Sequence, residues 1–120
     1  MKKILVVDDS TTMRKIVTMA LSAGNYAFVE ASNGKEALVK IGSGGLDAVV
    51  LDVNMPEMNG LEFLEAKRGM PAIASIPVVM LTTQDELPMQ QQAKALGARA
   101  FLGKPFRKED LLAVLSALLP

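Results

Sequence analysis

Apolar and polar positions are grouped in blocks along this chain. Five short apolar runs recur, at residues 4–7, 27–29, 48–51, 78–81 and 100–102. They are continuous rather than alternating, as expected of parallel strands covered on both faces. Helix-length segments lie between them. Met13, Ile16, Val17, Ala20 and Leu21 follow the i, i+3, i+4, i+7, i+8 spacing of one helix face, and Leu111, Val114, Leu115 and Leu118 repeat it near the end. Punctuation agrees with that pattern. Asn33 precedes Glu36 by three and Asn59 precedes Glu62 by three, the spacing of capping boxes before a second and a third helix. Gly24 and Gly97 stand where the first and fourth helices should stop. Pro88 is tolerated only in a first helical turn, which predicts a fourth helix starting near residue 86 or 87. Strand and helix repeating in series predict right-handed crossovers and a parallel sheet with helices on both faces. The expectation is a single doubly wound α/β domain over residues 1–120.

Composition narrows the chemistry. The chain has 120 residues, 13 Lys+Arg against 13 Asp+Glu, no His and no Cys. Without Cys there is no disulfide, thiolate nucleophile or zinc knuckle. Without His there is no Ser-His triad, imidazole ligand or phosphohistidine on this chain. A metal site must be built from oxygen, which favours a hard cation. The balanced charge and few aromatic residues predict no nucleic-acid partner. Only four apolar residues separate Lys3 from Asp8, too short for a signal peptide, and no stretch approaches the ~20 apolar residues of a membrane span. The expected setting is the cytoplasm.

Reactive polar residues cluster at the ends of the apolar runs. Val7 is followed by Asp8-Asp9, Leu51 by Asp52 and Leu81 by Thr82, and the last run reaches Lys104 after Gly103. Taken singly, the Asp-Asp pair reads as a turn or helix cap, Asp52 as a turn, Thr82-Thr83 as an N-cap and Lys104 as an exposed charge. In an open parallel sheet, however, these positions fall on one edge, where ligands bind. Like charges about 4 Å apart cost roughly 4 kcal/mol at an effective dielectric near 20. A divalent cation held by Asp8 or Asp9 with Asp52 would reverse that cost, and magnesium suits so few carboxylates better than calcium. A carboxylate beside a cation, an ammonium and a hydroxyl can receive a phosphoryl group.

The chain resembles the response-regulator receiver domains, and among them the single-domain chemotaxis regulators. The resemblance covers its whole length. It rests on Val6-Val7-Asp8-Asp9-Ser10, on the run from Asp52-Val53-Asn54-Met55-Pro56 through Glu57-Met58-Asn59-Gly60, on Met80-Leu81-Thr82-Thr83, and on Lys104-Pro105-Phe106. It implies a flavodoxin-like five-stranded parallel sheet of order 2-1-3-4-5 with five helices. It implies Asp52 as phosphoacceptor for a phosphohistidine on a partner histidine kinase. Magnesium would be held by Asp9, Asp52 and the backbone carbonyl of Asn54, with Asp8 acting mainly through water. Lys104 would pair with phosphoryl oxygens, Thr82 would turn inward to bond one, and Phe101 would follow as the switch aromatic; alternatively Phe101 is plain core. Many chemotaxis members have Tyr there, so a phenol readout is absent here.

Asn54 and Gln84 fall where the family tunes phosphoryl lifetime, and the Lys104–Pro105 bond is expected to be cis. The output face would be the fourth helix, fifth strand and fifth helix. The implied partners are the kinase, a downstream target such as a flagellar motor switch, and a phosphatase, with the chain itself a monomer and not an enzyme beyond its own phosphorylation and dephosphorylation. A stand-alone or excised receiver in another phosphorelay is the alternative. An aspartate-nucleophile phosphatase of the haloacid dehalogenase type would need a second acid two residues after Asp52, where Asn54 stands. A flavin carrier would need a phosphate loop and stacking aromatics that this sequence lacks.

Overall fold

In the computed structural model the description covers residues 1–119, and of Gln84 and Asp85 the backbone only. The elements run β1 (Lys3–Val7), α1 (Thr11–Ala23), β2 (Ala27–Ala31), α2 (Gly34–Gly42), β3 (Ala48–Asp52), α3 (Gly60–Arg68), β4 (Val78–Thr82), a 3₁₀ segment (Gln84–Met89), α4 (Gln90–Ala95), β5 (Ala100–Gly103) and α5 (Lys108–Leu118). All strand pairs are parallel, in the order β2-β1-β3-β4-β5. This is the doubly wound fold that the apolar runs predicted.

The continuous runs are explained by two cores, one on each face. Leu5, Val7, Val49, Leu51, Val78 and Met80 pack with Ala37 and Ile41 of α2, Phe63 and Leu64 of α3 and Ala93 of α4. The alternate residues Ile4, Val6, Val50, Val79 and Leu81 pack with Val17 and Leu21 of α1 and Leu111 and Leu115 of α5. Burying each Leu, Ile or Val is worth about 1.5–3 kcal/mol, so a polar residue anywhere within β1, β3 or β4 would unbalance the sheet. In these three central strands polarity is confined to the ends for that reason, whereas edge strand β2 is only partly covered and carries Glu30 within it. Among the described residues no helix is long and apolar enough to cross a membrane.

Three local expectations are corrected. The fourth helix begins as 3₁₀, and its α-helical part starts only at Gln90, because Pro88 sits inside the 3₁₀ segment and supplies no N–H for an α-helical bond. The Asn33 box is one-sided: Asn33 accepts from the Glu36 N–H, but the Glu36 carboxylate turns to Ser32 and Lys40. At Asn59 both halves form. On α1, Ile16 is 48% exposed although its spacing put it on the inner face, since Val17, Ala20 and Leu21 centre the buried stripe elsewhere.

Candidate functional site

The Asp8-Asp9-Ser10 turn ends one element and starts the next. Asp8 N–H still bonds to Ala31 O of β2, at 3.1 Å. Ser10 then caps α1 by accepting from Met13 N–H at 3.1 Å, while its own N–H donates to Asp8 Oδ1 at 2.9 Å. The Arg14 guanidinium holds the Asp8 main-chain carbonyl at 2.6 Å. Asp8 is therefore oriented by three neighbours and buried, and Asp9 beside it is exposed.

Asp52 is the last residue of β3, buried on its strand. The chain leaving it folds back sharply, with Gly60 N–H donating to Val53 O at 2.8 Å. A Cβ at Gly60 would lie 2.5 Å from the Asp52 carbonyl oxygen, so only glycine permits that return. The Asp-to-Gly spacing of this block is thus a packing requirement that fixes where Asp52 sits.

The four strand ends converge as the sequence predicts. Carboxylate oxygens of Asp8, Asp9 and Asp52 lie within 4.8 Å of one another. Lys104 Nζ donates to Asp52 Oδ1 at 2.6 Å and stands 3.8 Å from Asp8 Oδ2. Its backbone N–H is tied to Thr82 O at 2.7 Å, and the Lys104–Pro105 bond is cis. Thr82 is buried, its hydroxyl accepting from Gln90 Nε2 at 3.3 Å. Phe101 is half-buried beside a cleft of about 370 Å³ shared with Thr82, Leu87, Gln90 and Lys104. The Gln84 side chain lies outside the described residues.

Burial pushes the Asp8 carboxyl up to about 6; the Ser10 N–H opposes this, Asp52 adds to it, Lys104 opposes it and Asp9 adds to it. Asp52 is raised too, first by burial, against the hydrogen bond and charge of Lys104, with Glu86 adding to the rise. Burial lowers the Lys104 ammonium, but bonding to Asp52 and the charges of Asp52, Asp8 and Glu86 outweigh it and leave the group raised. Asp8 Oδ2 is buried without a hydrogen-bond partner among the described residues. An orphaned carboxylate oxygen in an all-oxygen cluster is what a hard divalent cation satisfies, and the donor set fits magnesium.

Two side chains escaped the sequence reading. Glu86 is buried, accepting from Thr83 N–H at 2.8 Å and from the Asn54 amide. Its only signal was the Thr83-to-Glu86 spacing of a capping box. Gln90, which holds Thr82, carried no signal at all: nothing in a glutamine run says which residue faces a strand end.

Comparison with known proteins agrees with the fold and gives the family. Residues 4–116 match the family model of the response regulator receiver domain, and the chain belongs to that family. It is 40% identical to the response regulator MprA of Mycolicibacterium vanbaalenii over 117 residues, covering 98% of this chain and 50% of that protein. The chain thus spans about half the length of such relatives. Among solved structures, the chemotaxis response regulator CheY4 of Vibrio cholerae matches with a TM-score of 0.92 and 40% identity, over 99% of both chains. The receiver domain of NtrX from Brucella abortus matches with a TM-score of 0.89 and 29% identity, over 97% of both. Phosphoacceptance is general for the family, which signals rather than turning over a substrate.

Proposed function

We propose that Asp52 accepts a phosphoryl group from a phosphohistidine on a partner histidine kinase, and that the modified chain changes its affinity for a downstream protein. The observation that carries this is the Lys104 Nζ–Asp52 Oδ1 contact of 2.6 Å, beside Asp8 and Asp9 at the carboxyl edge of the sheet. A carboxylate oxygen of Asp52 forms the new bond to phosphorus as the phosphorus–nitrogen bond of the donor breaks. The departing imidazole keeps the electron pair. Asp9, Asp52 and the Asn54 carbonyl would hold magnesium, with Asp8 acting mainly through water. When bound, magnesium supplies positive charge against the carboxylates and the phosphoryl oxygens. Lys104 stays charged, as its raised affinity for the proton requires, and is placed to accompany a phosphoryl oxygen.

Thr82 gives up Gln90 and donates its hydroxyl to the phosphoryl group, and Phe101 moves into the neighbouring cleft. The face of α4, β5 and α5 then carries the output. Asn54 and Gln84 set the phosphoryl lifetime. The whole span 1–120 acts as one cytoplasmic receiver domain and as a monomer, in chemotaxis with a flagellar motor switch as target and a phosphatase ending the signal. Full-length similarity to CheY4 supports that assignment. Half-length coverage of MprA favours a second reading, a receiver within a longer regulator of another phosphorelay.

The test is incubation with magnesium and acetyl phosphate, followed by mass spectrometry, and with beryllofluoride, followed by NMR. One phosphoryl group per chain is expected, absent in Asp52→Ala and after chelation. Repeated turnover of a generic phosphoester, or no modification at all, rejects the proposal.

A further inference from the structure

Glu86 stands on the 3₁₀ segment, 5% exposed, and both of its carboxylate oxygens are taken. Oε1 accepts from Thr83 N–H at 2.8 Å and Oε2 from Asn54 Nδ2. It thereby ties the corner after β4 to the loop after β3, two residues beyond Asp52. Among the described residues no ammonium or guanidinium lies within ion-pair distance of it, so both hydrogen bonds to this buried carboxylate come from neutral donors. A helix cap alone does not call for that: an exposed carboxylate bonds an N-terminal N–H equally well, as Glu62 does for Asn59. The Glu86 charge is also felt at both Asp52 and Lys104.

We propose that Glu86 is a positioning residue that opposes phosphoryl occupancy of Asp52, by engaging the Asn54 amide and by setting a fixed negative charge against the incoming dianion. This rests on the reading of Asp52 as phosphoacceptor. A phosphoryl group brings a charge of about −1.5 to −2 and strong acceptor oxygens. It repels the Glu86 carboxylate and competes with it for the same amide donor. Occupied and empty states thus differ by a bridge that must open, and opening it releases the start of the 3₁₀ segment. The site carries its own counterweight, which keeps the unmodified state favoured.

The experiment is titration of the whole chain with beryllofluoride at saturating magnesium, followed by backbone amide shifts, on wild type, Glu86→Gln, Glu86→Ala and Glu86→Asp. Half-saturation is expected to fall about 3–10-fold in Glu86→Gln and Glu86→Ala, the size of effect of one charge at an intermediate dielectric. Glu86→Asp keeps the charge but is one methylene shorter than the Asn54 bridge requires, so its half-saturation should fall less than in Glu86→Gln and Glu86→Ala. A merely structural glutamate would change thermal stability in all three variants and leave half-saturation where it was. Unchanged or weaker binding in Glu86→Gln and Glu86→Ala overturns the proposal. Failure of wild type to bind beryllofluoride at all overturns the phosphoacceptor reading instead, so the two failures are separable.

Discussion

The two corners flanking the site are built in opposite ways. After β3 the chain is locked: Gly60 packs on the Asp52 carbonyl, Asn59 and Glu62 cap α3 reciprocally, and Phe63 and Leu64 are buried. After β4 it is tethered: the 3₁₀ segment contains Pro88, α4 has six residues with only Ala93 buried, and polar bonds from Glu86 and Gln90 hold the corner to Asn54 and Thr82. Apolar packing is lost only by unfolding, whereas a hydrogen bond can be exchanged for another at small net cost. A site that must hold charge still and yet report its arrival needs one corner of each kind.

Breaking the locked corner should have the largest effect. Gly60→Ala places a methyl against the Asp52 carbonyl and should cost about 2–4 kcal/mol in urea denaturation, with phosphorylation falling in parallel. An unchanged midpoint would mean that the corner is as pliant as its counterpart. Next, Lys104→Met leaves the fold in place but removes the ammonium bonded to Asp52. The rate of labelling by acetyl phosphate should drop roughly 100–1,000-fold, as for loss of one preorganised donor.

Asp8 links stability to pH. Its folded pKa of about 6 lies above the ordinary value of 3.8, so between these values the folded chain binds more protons than the unfolded one. Its contribution is therefore greatest below the unfolded pKa and is lost as pH rises through about 6. Metal-free protein should lose stability between about pH 4 and 6 on this account, on the order of 2 kcal/mol, and Asp8→Asn should flatten that slope. Saturating magnesium should remove it as well. Thermal melts with chelator and with magnesium decide the point, and a slope equal in wild type and Asp8→Asn would assign it elsewhere. The smallest effect belongs to the tethered corner: Gln90→Ala should change unfolding free energy by less than about 0.5 kcal/mol while shifting the Thr82 and Phe101 amide resonances.

How legible each part was follows from the range of the forces involved. The strands could be read because Ile4 to Val7 and Val78 to Leu81 are buried on both faces, which leaves continuous apolar runs. Asp8, Asp52, Thr82 and Lys104 could be read because a parallel sheet brings every strand end to one edge. Pro88 marks a helical start, and only packing decides between 3₁₀ and α geometry around it, which moves the α-helix one turn on. Ile16 and Val17 are equally apolar, but their burial depends on how α1 is rotated against α5 and the sheet.

By itself, then, the sequence determined the sheet, its two cores and the carboxyl-edge cluster, since periodicity and composition act locally and repeat along the chain. Tertiary structure decided which acidic and amide side chains meet across the site. Glu86 reaches Asn54, and Gln90 reaches Thr82, only because β3 and β4 are neighbours and the 3₁₀ segment turns back over their ends. Hydrogen bonds between residues distant in sequence follow no period along the chain, and their partners exist only once the chain has folded.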